Sequence, residues 1–380
     1  MRRRLLRLLG ALIFFGIFYL LFWPVSIDPV AWTPPQAPTL TGPYALNNKL
    51  AAATRFGAGI GIGPEDIAID AKGWIHTGFI DGRIVAIAPD GKTHKVIANT
   101  GGRPLGMRFD ADGNLIVTDA SKGLLSIAPG GTITVLATQA EKKGFGFTNH
   151  LAIATDGTIY FSDSSTRWGP GKAVADIFEH VPTGRLMAYD PKAKTVRVLM
   201  RKLQYANGVA LAADESFVLV NESGEYRIRR HWLKGPKAGQ SDIFIDNLPG
   251  FPDNISANGK GTFWLAMFTV RNPAADALAK QSAGPRGPLL ASDERGRARR
   301  HALARQPVGD LARADQGAGE LAAGLAKETP RPALIMWGPA RGISDFGRRT
   351  RSTRRPRPPG WDSRCNRDGR RHRRSPGRAH

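Results

Sequence analysis

A nine-residue phrase recurs five times in this chain, and its spacing limits the fold more than any other feature. Laid on itself without gaps, it begins at Glu65, Leu105, Asn149, Asn207 and Asp253, at intervals of 40 to 58 residues. The clearest copy, Asn149 to Gly157, runs into Thr158-Ile-Tyr-Phe-Ser-Asp163. Each copy reads as an apolar strand, a polar turn that mostly ends in Gly, and a second strand, so the unit is a hairpin. In the first unit two more strands follow, giving Ile67 to Asp70, Trp74 to Gly78, Arg83 to Ile87 and His94 to Ile97, divided by Ala-Lys-Gly, Asp-Gly and Pro-Asp-Gly turns. The second, third and fourth units repeat this order, the third with an insertion from Ser164 to Pro182. The fifth shows Ile255 to Ala257 and Thr262 to Met267 before the pattern fades. Two-residue turns require antiparallel neighbours, which excludes a parallel solenoid. Four-stranded antiparallel sheets repeated radially make an all-β propeller.

Both ends of the chain depart from this pattern. Residues 1–25 read as a membrane anchor: Leu8 to Trp23 is almost unbroken apolar sequence behind Arg2, Arg3, Arg4 and Arg7. Counted from Leu5 to Val25 the run is about 21 residues, long enough to cross a bilayer. The arginines leave the N-terminus in the cytoplasm and the remainder on the periplasmic or extracytoplasmic side. The alternative is a cleaved signal peptide, against which stand the bulky residues Phe22-Trp23-Pro24-Val25 at the expected cleavage point. Residues 26–47, with five prolines between Pro29 and Pro43, read as an extended spacer, and residues 48–280 as the propeller. Residues 281–380 hold 22 Arg and one Lys against 9 Asp plus Glu, which accounts for much of the formal charge of +22. The sudden preference for Arg, Ala, Gly and Pro is what a shifted reading frame in GC-rich DNA yields; a basic disordered tail is the other reading. No basic face with interleaved aromatics lies in the propeller region, which argues against a nucleic-acid partner. The single cysteine, Cys365, excludes an intrachain disulfide.

First strands line the axis of a propeller, so the phrase alignment groups Glu65, Leu105, Asn149, Asn207 and Asp253 in one layer, with Asn254 beside it. Carboxylates and amide oxygens without cysteine suit Ca²⁺ better than Zn²⁺. Periodicity leaves open whether they bind metal or cap strand ends in a watery channel.

The segments Phe147-Thr-Asn-His-Leu-Ala152, Ile159 to Ser165, Ala206-Asn-Gly-Val-Ala-Leu211, Val220-Asn-Glu-Ser223 and Phe251-Pro-Asp-Asn-Ile255 resemble the strictosidine synthase-like family. That family lies within the calcium-dependent gluconolactonase and paraoxonase superfamily of six-bladed propellers. With its N-terminal anchor the chain is similar to the adipocyte plasma membrane-associated protein branch. The resemblance spans roughly residues 50 to 273. It implies a six-bladed all-β propeller of four-stranded antiparallel blades whose sixth blade is lost or replaced here, and a Ca²⁺ held by Glu65, Asn149, Asn207 and Asp253 with Asn254 as an adjunct. It also implies a monomer that hydrolyses a small ester or lactone outside the cytoplasm. Leu105 stands where paraoxonase-like relatives carry a catalytic His. The synthase acid belongs to the unrecognised last blade, so the synthase reaction does not carry over.

His150 and Asp163 are the remaining catalytic candidates. Imidazole titrates near neutrality, but His150 neighbours a ring residue on a strand and is expected to point away from the axis. Asp119, Asp163 and Glu222 end second strands, where a hydrogen-bonding role comes first. Trp168, Trp232 and Trp264 read as packing. A propeller without chemistry, used for binding or scaffolding, is the competing function. If the frame shifts, the chain is an inactive product with an open ring, because the partner of a closing strand at Leu50 to Phe56 is missing.

Overall fold

The computed structural model describes residues 2–22, 27–45, 47, 57–281 and 334–337. The proposed closing strand and almost all of the tail lie outside these residues. Four successive four-stranded antiparallel sheets form the body. Blade 1 comprises β1 to β4 (Ile67–Ile69, Ile75–Gly78, Arg83–Ile87, His94–Asn99), and blade 2 comprises β5 to β8 (Pro104–Phe109, Leu115–Asp119, Gly123–Ile127, Ile133–Ala137). A small hairpin, β9 and β10 (Gln139–Ala140, Lys143–Gly144), leads to blade 3, β11 to β14 (Thr148–Ile153, Ile159–Asp163, Gly184–Asp190, Thr195–Leu203). Blade 4 is β15 to β18 (Ala206–Leu211, Phe217–Glu222, Arg227–Trp232, Ser241–Ile245).

The next sheet is different. β19 and β20 (Gly250–Ala257, Phe263–Val270) pair antiparallel, but the third strand, β21 (Leu334–Trp337), lies parallel to β20. A blade needs an antiparallel strand there. Among the described residues there is no sixth sheet of this kind. The fold is propeller-like, and its inner strands β1, β5, β11, β15 and β19 touch in that order.

Each seam between neighbouring blades is filled by apolar side chains from both. Met107, Val117 and Leu125 meet Ala68 and Ile84 between blades 1 and 2. Ile116 and Leu124 meet Leu151, Phe161 and Met187 between blades 2 and 3. Leu186 and Ala188 meet Val209, Val218 and Val220 between blades 3 and 4, and Leu219 and Ile228 meet Ile255, Phe263 and Leu265 between blades 4 and 5. Burying apolar area at ~25 cal/mol per Å² in every seam makes the strand alternation of the sequence a consequence of stacking.

Helix α1 spans Arg2–Phe22, and its described large apolar residues, including Leu8, Leu12, Ile13 and Phe15, are exposed. Among the described residues no helix is long and apolar enough to cross a membrane. The Pro-rich segment behind α1 is extended but does not hang free as a spacer would. The Val30 and Trp32 amides donate to the carbonyls of Glu179 and Ala279, at the ends of α2 (Ala173–Glu179) and α3 (Pro273–Ala279). Trp32 stacks on His180 at 4.4 Å, and Arg271 donates to the Pro35 carbonyl.

Candidate functional site

Four of the five inner strands, β5, β11, β15 and β19, carry an irregularity at the same place. Pairing slips between Pro104 and Met107, between Thr148 and Leu151, between Ala206 and Val209, and between Pro252 and Ile255. A β-bulge re-aims side chains and is common beside active sites. The bulged pairs are Leu105-Gly106, Asn149-His150, Asn207-Gly208 and Asp253-Asn254; Glu65-Asp66 holds the matching position ahead of β1. Glycine is required at the second position of two pairs because the next strand comes too close. A Cβ on Gly106 would meet the Asn149 carbonyl oxygen at 2.8 Å, and one on Gly208 the Asp253 carbonyl oxygen at 2.5 Å.

The first members of these pairs converge, and their amides are oriented. Asn149 donates its side-chain Nδ2 to Ser164 Oγ at 3.0 Å; that Oγ in turn donates to the Ala206 carbonyl at 2.6 Å. Asn207 donates Nδ2 to Asp253 Oδ1 at 2.8 Å and to Ser223 Oγ at 3.3 Å, and Asn254 donates to the Glu65 carbonyl at 3.2 Å. With each amide nitrogen committed, the oxygens are left over: Asn149 Oδ1, Asn207 Oδ1, Asn254 Oδ1 and Glu65 Oε2 are buried without a partner. A buried polar atom normally has one.

Charge compounds the deficit. Burial, then the neighbouring Asp253 and Asp66 carboxylates, push Glu65 well above the usual carboxylate range, against the pull of Arg103. Burial raises Asp253 to about 6, opposed by its hydrogen bond from Asn207. Two carboxylates and three amides are the hard-oxygen set that Ca²⁺ takes, and the unpartnered oxygens fit such an ion. Among the described residues no group of three or more His, Cys, Asp or Glu is placed to hold a metal, so any site here depends on its amides.

The catalytic candidates are committed elsewhere. His150 Nδ1 lies 3.0 Å from the Val209 amide nitrogen and 3.2 Å from the Val209 carbonyl, and its Nε2 lies 3.4 Å from Asp66 Oδ2. Asp66 also takes the Arg108 guanidinium at 2.6 Å; burial raises its pKa, but Arg108 and His150 override this and hold it far below the ordinary range. His150 therefore belongs to a buried ion network. Asp163 accepts the Phe147 amide at 2.8 Å, the Gly146 amide at 3.1 Å and Arg185 at 2.6 Å. Asp119 and Glu222 do the same in their blades, accepting the amides of Arg103 and Gln204. Trp168 donates its indole N–H to Glu179, and Arg230 lies over the ring of Trp232; Trp264 is 45% exposed.

Several site residues carry no signal in the repeated phrase. Ser164 and Ser223, which orient the asparagines, are readable only as a Ser 15 or 16 positions after the ring Asn. The Arg103 guanidinium beside Glu65 has a buried Nη1 without a partner. Helix α2 buries its acids instead of an apolar stripe. Glu179 is saturated by Trp168, Arg167 and the Asp28 amide, whereas Asp176, 2% exposed, has an unpartnered Oδ1. Burial raises Asp176 to about 7 against the hydrogen bond from Ser165.

Successive four-stranded antiparallel sheets that bring oxygen-bearing side chains together at bulges in their inner strands define a propeller-like protein with a polar centre. The strictosidine synthase family model matches residues 149–236, and the model of the strictosidine synthase-like N-terminal region matches residues 42–87. Adipocyte plasma membrane-associated protein of Salmo salar is 39% identical over 282 residues, covering 69% of this chain and 67% of that protein. Its Rattus norvegicus counterpart is 37% identical, covering 66% and 71%. Strictosidine synthase-like protein 6 of Arabidopsis thaliana is 38% identical, covering 60% and 63%. The chain belongs to the strictosidine synthase-like family. Among solved structures, a gluconolactonase of Xanthomonas campestris overlays at a TM-score of 0.46 with 19% identity (54% of this chain, 70% of that one). A calcium-binding regucalcin of Agrobacterium tumefaciens overlays at 0.45 with 16% identity (55% and 68%).

Proposed function

We propose that this protein is a calcium-dependent hydrolase of a small ester or lactone, acting as a monomer outside the cytoplasm and held to the membrane by α1. The observation that carries the reading is the set of four buried, unpartnered oxygens on Glu65, Asn149, Asn207 and Asn254, beside the carboxylate of Asp253. These five residues hold the ion. When bound, Ca²⁺ supplies Lewis-acid polarisation of a carbonyl oxygen. The chain itself does the positioning. Ser164 and Ser223 lock the asparagine amides so that their oxygens face the centre. Asn149 and Asn207 are buried, and burial strengthens charge interactions there. Neither His150 nor Asp163 serves as the base, because each is consumed by structural partners. The anchor rests on the exposed apolar residues of α1 and on the kinship with a plasma membrane-associated protein.

A test is hydrolysis of a panel of lactones and aryl esters by the purified chain with calcium and with chelator, beside Asn207→Ala. Turnover abolished by chelator and lowered at least tenfold by the substitution is expected. Equal rates with chelator, or no turnover by protein shown to be folded, would sink the reading. One observation favours a second reading, a binding propeller without chemistry: Leu105 puts an alkyl group where the other four first positions carry oxygen. Calcium retention without turnover of any panel member is the result that reading expects.

A further inference from the structure

Only five residues separate Phe22, the end of α1, from Asp28, where the Pro-rich segment is first tied to the body. At no more than ~3.6 Å per residue, that connection reaches about 20 Å. From Asp28 onward the segment is a strap. The Asp28 amide donates to Glu179 Oε1 and the Val30 amide to the Glu179 carbonyl, both at 2.8 Å. The Trp32 amide donates to the Ala279 carbonyl at 2.9 Å, and Asn247 Nδ2 to the Gln36 carbonyl at 2.8 Å. The Trp32 ring lies 4.4 Å from that of His180 and 5.6 Å from that of Tyr226. A body strapped this close to α1 keeps one end near whatever α1 enters.

Register says which end. Thr148 pairs with Asp163 and Gly250 with Val270, so α2, which follows Asp163, and α3, which follows Val270, spring from the end of their blades where the ring residues Asn149 and Asp253 stand. The strap therefore crosses the ring end. The distribution of exposed apolar side chains points the same way. Outside α1, the exposed large apolar residues that lie off the strands are, among the described residues, Val30, Leu40, Ile62 and Ile80. Val30 and Leu40 belong to the strap. Ile80, 43% exposed, is in the turn between β2 and β3 at the ring end of blade 1, and its amide donates to the carbonyl of Ile62, which is 68% exposed. Scattered singly such residues mean little, but here they are confined to the strap and the end it crosses. The turns at the opposite end, Asp110 to Asn114 and Ala154 to Thr158 among them, expose no large apolar side chain among the described residues.

We infer that the ring end, strap included, is a lipid-docking surface, with Val30, Leu40, Ile62 and Ile80 set into the headgroup region of the bilayer that α1 enters. This rests on the anchoring by α1 proposed above. The partner is the lipid surface itself: apolar side chains at such an interface bury ~5–10 Å into the boundary of headgroups and acyl chains. A single flexible tether would leave the body free to turn. The short connection and the docked strap remove that freedom, and the apolar loops hold the attitude that results.

The experiment places a fluorophore at either end of one blade in the full chain carrying Cys365→Ser, which frees it of its single cysteine. Ser121→Cys labels the turn after β6 at the ring end, and Asp112→Cys the turn before it; both positions are exposed, and the five residues of β6 hold them about 17 Å apart. The chain is reconstituted into phosphatidylcholine vesicles with a nitroxide on the headgroup, and flotation is measured beside quenching. The label at 121 should be quenched at least about twofold more than the label at 112. Ile62→Ser with Ile80→Ser should narrow that difference while the chain still floats, and so should Trp32→Ala, which loosens the strap and decides the matter if the double variant does not fold. Equal quenching at the two ends, stronger quenching at 112, or a difference unchanged in both variants overturns the docking surface and leaves the anchoring by α1 standing. A chain that does not float with the vesicles overturns the anchoring and the docking together.

Discussion

Between blades 2 and 3, Leu151 and Phe161 are wholly buried, while on the far side of blade 1 Ile67 and Ile69 are 52% and 61% exposed. Both pairs come from strands with the same alternation, so what separates them is the neighbour. Four seams have a second sheet. Beyond blade 1, among the described residues, Phe79, Val85 and Ile87 cluster with Ile60 and Ile75, and Asn254 of blade 5 donates to the Glu65 carbonyl ahead of blade 1. Among the described residues the four seams are closed by apolar packing, whereas the open side beyond blade 1 is bordered by groups whose charges and amide oxygens want a cation.

The sharpest way to break this contrast is Phe161→Ala. Phe161 packs edge-on to Phe145 at 5.5 Å with no exposure, so truncation should cost about 3–5 kcal/mol, read as a lower urea midpoint. A loss below about 1 kcal/mol would mean that the closed seams are not what holds the molecule together.

The strands themselves were legible from the repeats, but their starts were not. The apolar pattern begins β5 at Met107 and β15 at Val209, whereas pairing starts at Pro104 and Ala206. The missing residues are the bulges, where Leu105-Gly106 and Asn207-Gly208 break the apolar alternation. The ring residues could be aligned because register is kept across blades. Their orientation could not, because it depends on Ser164 and Ser223, which resemble any turn serine. The Pro-rich segment read as a spacer from composition, since hydrogen bonds to α2 and α3 leave no mark in proline spacing. The acids of α2 were invisible for a related reason: a buried helix face is sought among apolar residues.

Asp176 tests whether the closed side tolerates that acid only in neutral form. Its pKa rises from 3.8 to about 7 on folding, so the folded state holds an extra proton between those values. The stabilisation is fully present below about pH 4, falls as pH rises towards 7 and is gone above it, with a limiting slope of about 1.4 kcal/mol per pH unit. The groups facing it are Glu179, Arg167, Ser165, Asp163 with its partner Arg185, and Tyr205. Asp176→Asn should remove this slope, becoming the more stable protein at pH 8. Parallel stability curves for the two proteins from pH 4 to 8 would show that Asp176 is not buried as described.

The next effect down distinguishes the two serines. Ser164 is the acceptor given to the Asn149 amide nitrogen, whereas Asn207 has Asp253 as well as Ser223. Ser164→Ala should therefore weaken calcium binding by 10-fold or more, in the range typical of groups that orient ligands, and Ser223→Ala by less. A terbium luminescence titration reads both. The reverse order would mean that the Asn207 to Asp253 bond does not hold the amide.

The smallest effect lies on the open side. With its side chain 61% exposed, Ile69 has little to lose, so Ile69→Ser should change the urea midpoint by no more than about 0.5 kcal/mol in stability. The same substitution removes apolar surface, so it should also raise the soluble yield, because uncovered aliphatic patches and strand edges promote association. A loss of 2 kcal/mol or more would place a covering element over β1. The contrast between closed and open sides would then be a contrast between two kinds of neighbour.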